Sequence, residues 1–99
     1  MIRDLLRFRY ADLDRQLRAA DGDVGLRASV WLRMEIISEL TGVIRDLRPT
    51  EEQMLDLVRG LARGAPYLLP AKRRLARDEA TQLLESLAAP SPASIPAAA

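Results

Sequence analysis

The stretch LRASVWLRMEIISELTGVIRDL (Leu26–Leu47) is long, apolar and free of proline, and it holds the chain's single tryptophan. At about 100° per residue, its aliphatic side chains fall on one broad arc of a helical wheel. Leu26, Val30, Leu32, Met34, Ile36, Ile37, Leu40, Val43, Ile44 and Leu47 together cover about half of the circumference. A helix lying on the surface of a domain needs a narrower stripe. The pattern therefore predicts a helix that touches two or more neighbours near the middle of a bundle. Burying a large aliphatic side chain stabilises by about 1.5–3 kcal/mol, so this helix supplies much of the favourable term against conformational entropy.

Two features break the arc. Arg33 falls inside it and must either reach outward along its stem or meet a carboxylate from another helix. Trp31 lies on the opposite side, in a seam with Glu35, Ser38 and Gly42. Tryptophan is enriched at interfaces, and a glycine inside a helix costs about 0.5–1 kcal/mol relative to alanine while removing a side chain from the seam. Either another helix of the same chain covers Trp31, or a second molecule does.

The 99 residues make one domain, and 48% hydrophobic content argues for folding rather than disorder. The net charge of +1 provides no global field for nucleic acid or acidic membranes, so any such surface must come from local clustering. Cysteine and histidine are absent, which removes disulfides, Cys/His zinc sites and Ser-His or Cys-His catalysis. No P-loop, GxGxxG or GxSxG occurs, and the expectation is a protein that is not an enzyme and holds no cofactor. The opening residues alternate charge with apolar side chains, unlike a signal peptide, and no run approaches the roughly 20 apolar residues of a membrane span. The expected location is the cytoplasm.

Outward from the central stretch, Ile2, Leu6, Leu13, Leu17 and Ala20 form the stripe of a first helix over residues 2–20, with Phe8 projecting away from it. DGDVG (21–25) is a turn in which Asp23 is placed to cap the next helix. It lacks the further ligands of a calcium loop. Arg48-Pro49 ends the central helix, because a residue before proline disfavours the helical region. Thr50-Glu51-Glu52-Gln53 fits a capping box that opens a third helix ending near Arg63, with Met54, Leu55, Leu57, Val58, Leu61 and Ala62 on its inward face and Gly64 beyond it.

APYLLP (65–70) reads as a rigid connector with Tyr67, Leu68 and Leu69 plugging the bundle end. Pro70 suits the first turn of a fourth helix running to about Ala88. That helix has a narrow stripe of small residues, Ala76 and Ala80 with Leu83, and is expected to be the least firmly held. Residues 89–99 are a Pro/Ala/Ser tail. The expected fold is an all-α bundle of about four helices over residues 1–88, the first three antiparallel and the fourth packed more loosely.

Lys72, Arg73, Arg74 and Arg77 form the only basic run, at the start of the fourth helix. Cations at a helix N-terminus make an anion-binding arrangement. The bland alternative is a solvated face, with Arg74 pairing Asp78 at i,i+4. Glu35 and Glu39 share a face, but two carboxylates alone do not make a metal site.

The leading expectation is a non-enzymatic protein-interaction module: an adaptor, chaperone-like or regulatory protein. Its partner surface is Trp31, Glu35, Ser38 and Gly42, with Phe8, and a homodimer through the second helix is one form of it. The alternative is a nucleic-acid-binding regulator that uses the basic run.

Overall fold

A computed structural model describes residues 1–64 and 68–88. It is an all-α bundle of four helices: α1 (Ile2–Ala20), α2 (Val24–Leu47), α3 (Glu51–Arg63) and α4 (Pro70–Ala88). The expected tail at 89–99 and Tyr67 of the connector lie outside the described residues.

Local chemistry sets the boundaries. The Asp23 side chain accepts the Leu26 N–H at 3.0 Å and caps α2. Arg48 closes α2 in the left-handed region, and its N–H donates to the Ile44 carbonyl. The Thr50 hydroxyl accepts from the Gln53 N–H while the Gln53 side chain accepts from the Thr50 N–H, a complete capping box. Gly64 ends α3 at φ 129°, a conformation that side chains rarely adopt.

The core gathers Ile2, Leu6 and Leu13 from α1 with Val30, Met34, Ile37, Leu40 and Ile44 from α2. Met54 and Val58 from α3 and Ala80 and Leu83 from α4 complete it. Pairing departs from the expected antiparallel trio of α1–α3. The short turn at 21–23 folds α1 against α2, but α3 packs chiefly on α4 and only slightly on α2. For that reason the broad arc of α2 is buried only in part: Val43 and Leu47 remain 41% and 71% exposed, and Leu26 is also exposed. Leu57 of α3, expected inward, is part-exposed on the same side, and Leu69 of the connector is exposed rather than a plug.

Helix α4 also departs from expectation. It packs on all three other helices, whereas α3 relies mainly on α4. At its centre Glu79 is buried, 1% exposed. Its carboxylate accepts from Arg9 of α1 at both oxygens, Nε to Oε1 at 2.6 Å and Nη2 to Oε2 at 2.8 Å. Arg33 of α2 donates from Nη1 to Glu79 Oε2 at 2.6 Å and to Asp78 Oδ2 at 2.5 Å. The carboxylate that Arg33 required is therefore supplied by α4, and Asp78 pairs with Arg33 rather than with Arg74.

Each ion feels its partners. Hydrogen bonding to Glu79 raises the Arg9 pKa above its usual value. Burial lowers that of Arg33, but Asp78 and Glu79 together outweigh it and the net shift is upward. The Arg33 guanidinium holds the Asp78 carboxyl below the usual carboxylate value.

Removing one member of a buried pair leaves an uncompensated charge, at a cost of about 3–5 kcal/mol. Glu79→Leu should lose about that much stability in urea unfolding, and adding Arg9→Met and Arg33→Met should recover most of it. Because the Asp78 pKa is lower folded than unfolded, its contribution is present above the unfolded value and is lost as pH falls through the folded one. The stability difference between wild type and Asp78→Asn should thus be constant near neutrality and shrink below about pH 4. Urea titrations at a series of pH values read this directly.

Candidate functional site

The four residues of the proposed seam on α2 part company. Trp31 stands 61% exposed, uncovered by any described helix of the chain. Glu35 turns toward α4, where its carboxylate lies 3.3 Å from Lys72 Nζ. Ser38 and Gly42 face α1 and line a furrow of about 1040 Å³ between the two helices. Phe8 is 65% exposed and lines neither this furrow nor the groove on the other flank of α2. The structure thus joins Ser38 and Gly42 in one surface, leaves Trp31 on the same helical stripe about two turns upstream, and separates Glu35 and Phe8 from them.

The basic start of α4 is likewise divided. Lys72 Nζ donates to Glu35 and to Glu39, the latter at 2.9 Å, and hydrogen bonding to Glu39 is the main cause that raises its pKa. The two carboxylates considered as metal ligands hold an ammonium instead. Arg73 Nη2 donates to the Leu68 carbonyl at 3.2 Å. Arg74 and Arg77 point to solvent. Successive residues of a helix lie about 100° apart, so a run along the sequence does not become a patch in space.

Two grooves flank α2. The first, of about 830 Å³, opens between α2 and α3 because those helices barely pack, and Val43, Leu47 and Leu57 give it an apolar wall. The second is the furrow against α1. Its lining includes Ala11 of α1 and Gly42 of α2 together with four arginines, Arg3, Arg7, Arg45 and Arg48. Sequence reasoning did not find this arginine group. Its signal is indirect: α1 and α2 form a hairpin about residues 21–23, which brings the start of one helix beside the end of the other.

Among the described residues no group of acidic side chains is arranged to hold a metal ion, and no helix is long and apolar enough to cross a membrane. Comparison with known proteins finds no matching family model, no matching curated protein and no matching solved structure.

A Cβ at position 42 would meet only Arg45 Nη2, at an ordinary 3.7 Å. Gly42→Ala should therefore stabilise the fold by about 0.5–1 kcal/mol through helix propensity. A raised urea midpoint with an unchanged slope would register this, and a loss of stability would mean that another group closes on Gly42.

Proposed function

We propose that this chain is a non-enzymatic protein-interaction module whose docking surface is carried by α2. The observation that carries the reading is Trp31. The helix that holds the core together keeps its one tryptophan 61% exposed, although tryptophan is costly in water and is the side chain most often found as an interface anchor. The unfilled apolar groove beside Val43 and Leu47 supports the same reading, since small domains seldom leave large aliphatic side chains together in water without a use. A second copy of the chain is the first partner to consider, with Trp31 packed at the contact.

The nucleic-acid reading draws less support. Lys72 is neutralised by Glu35 and Glu39, and only Arg74 and Arg77 of the basic run extend freely into solvent.

Static light scattering over a micromolar concentration series tests the module. Wild type should rise in mass above 11.0 kDa, and Trp31→Ala should stay monomeric. The same substitution should move stability by no more than about 0.5 kcal/mol, as befits an exposed site. A wild type that stays monomeric at high micromolar concentration sinks the self-association part. Equal association of both proteins places the contact away from Trp31.

A further inference from the structure

The arginines of this chain divide by use. Arg9 and Arg33 are engaged by Glu79 and Asp78, and Arg15 and Arg18 pair with Asp12 and Asp14 along α1. The four that line the α1–α2 furrow are held far less. Arg7 meets Asp4 at 3.3 Å on an exposed surface, and Arg45 meets its neighbour Asp46 at 3.5 Å, longer than a usual hydrogen bond. No carboxylate pairs with Arg3 or Arg48 among the described residues. The one acid in the lining, Asp14, is taken by Arg18.

Their placement follows from the hairpin. Counted back from the turn at 21–23, Arg3 and Arg7 of α1 stand level with Gly42 and Ser38 of α2. The Arg45 side chain folds back along α2 by about one turn, so that its Nη2 lies 3.7 Å from where a Cβ on Gly42 would stand. That carries the Arg45 guanidinium to the level of Arg3, and cations then face each other from the two walls of the furrow. Helix stability explains only half of the group. Arg45 and Arg48 complement the negative end of α2, whereas Arg3 and Arg7 occupy the first two turns of α1, where the macrodipole disfavours cations. Like charges on facing walls repel, and an anion between them removes that cost. Tyr10 and Ser38 add hydroxyl groups to the same lining.

We propose that this furrow binds a small polyanion of the polyphosphate class, a molecule in which successive phosphates are linked. Arginine forks grip phosphate oxygens in bidentate fashion, and a short chain of phosphates presents several such edges to forks on both walls. A single phosphate or carboxylate meets one fork and leaves the others repelling. Four cations against one acid that is already paired match a ligand whose negative charges are gathered in a small volume. Trp31 is outside the lining, so the site stands apart from the interaction surface proposed above and does not depend on it.

Isothermal titration calorimetry of the whole chain with inorganic tripolyphosphate tests it. One molecule should bind per chain, with affinity falling as salt is raised. Orthophosphate should bind at least tenfold more weakly. Arg3→Gln with Arg45→Gln should weaken tripolyphosphate binding at least tenfold, and so should Arg7→Gln with Arg48→Gln, each pair taking one arginine from each wall. Arg74→Gln with Arg77→Gln, which removes the same charge elsewhere, should leave it unchanged, as should Trp31→Ala. All of these side chains are exposed, and circular dichroism of each variant checks that the bundle is intact. Adenosine triphosphate in the same titration separates two sources of this chemistry: binding as tight as that of tripolyphosphate or tighter assigns a nucleotide, and weaker binding assigns inorganic polyphosphate. No binding at low salt, equal binding of orthophosphate, or indifference to the furrow pairs overturns the inference. An equal loss in the Arg74 and Arg77 variant overturns it too, because charge alone would then account for the binding. A single-stranded oligonucleotide that binds at least tenfold more tightly than tripolyphosphate through the same arginines overturns it in favour of a nucleic-acid backbone. Failure here leaves the interaction reading standing, and failure of the Trp31 test leaves this site standing.

Discussion

A carboxylate withdrawn from water is the constraint on which this bundle depends. Glu79 is 1% exposed, and its two oxygens accept three hydrogen bonds from arginines on two other helices. Three apolar side chains of similar volume would fill the same space without the desolvation cost of the ions. What the ion group adds is register. Sliding α1, α2 or α4 by one turn, about 5.4 Å, would strand at least one charge away from its partner. Hydrophobic contacts among Leu, Ile and Val side chains tolerate such a shift far better, because they have no direction.

Helix α3 sits outside that ion group, and its placement has consequences for the surface. It packs chiefly on α4, buries Met54 and Val58 fully in the common core, and has its start fixed by the Thr50–Gln53 box. Because it follows α4, it leaves the second half of α2 open. The same event exposes Val43 and Leu47 and creates the apolar groove. On the other flank α1 lies close along α2, and four arginines join Leu6, Tyr10 and Ile44 in lining the groove there. One core helix thus presents two flanks that differ in the sign of their charged side chains: Glu39 and Asp56 line the groove toward α3, and four arginines line the furrow toward α1.

The helices were legible in the sequence because their limits are set locally. Asp23, the Arg48-Pro49 pair, the Thr50–Gln53 box and Pro70 act within four residues of themselves and set the helix limits, although Arg48 closes α2 in the left-handed region rather than the extended one that a residue before proline favours. The apolar stripe of α1 and the centre of α2 were legible for the same reason. Arg33 was a visible anomaly within an apolar arc, but its partner was not readable. Glu79 lies beside Asp78 in what looks like a solvated pair. The clue was its spacing: 76, 79, 80 and 83 share one face, and the other three are apolar. The α1–α2 pair was legible from the short turn between them, but the partner of α3 was not, since the amphipathic faces of α2 and α3 are compatible with mutual packing. The choice between α2 and α4 as the neighbour of α3 is a long-range competition that no local pattern records.

The candidate site shows the same division between local and distant information. A basic run such as Lys72–Arg77 is conspicuous when read along the chain, yet helical geometry scatters it: one cation meets α2, one meets a loop carbonyl and two enter solvent. Arg3, Arg7, Arg45 and Arg48 are inconspicuous along the chain, being separated by more than thirty residues, and are brought together by the hairpin turn. Spacing by three or four residues within each pair keeps both arginines of a helix on one face. Antiparallel packing of α1 and α2 then places the two faces side by side. Charge density on a helical bundle is therefore a property of the fold's pairing. Four arginines of a nearly neutral chain line one furrow between α1 and α2, away from the stretch where the sequence is most basic.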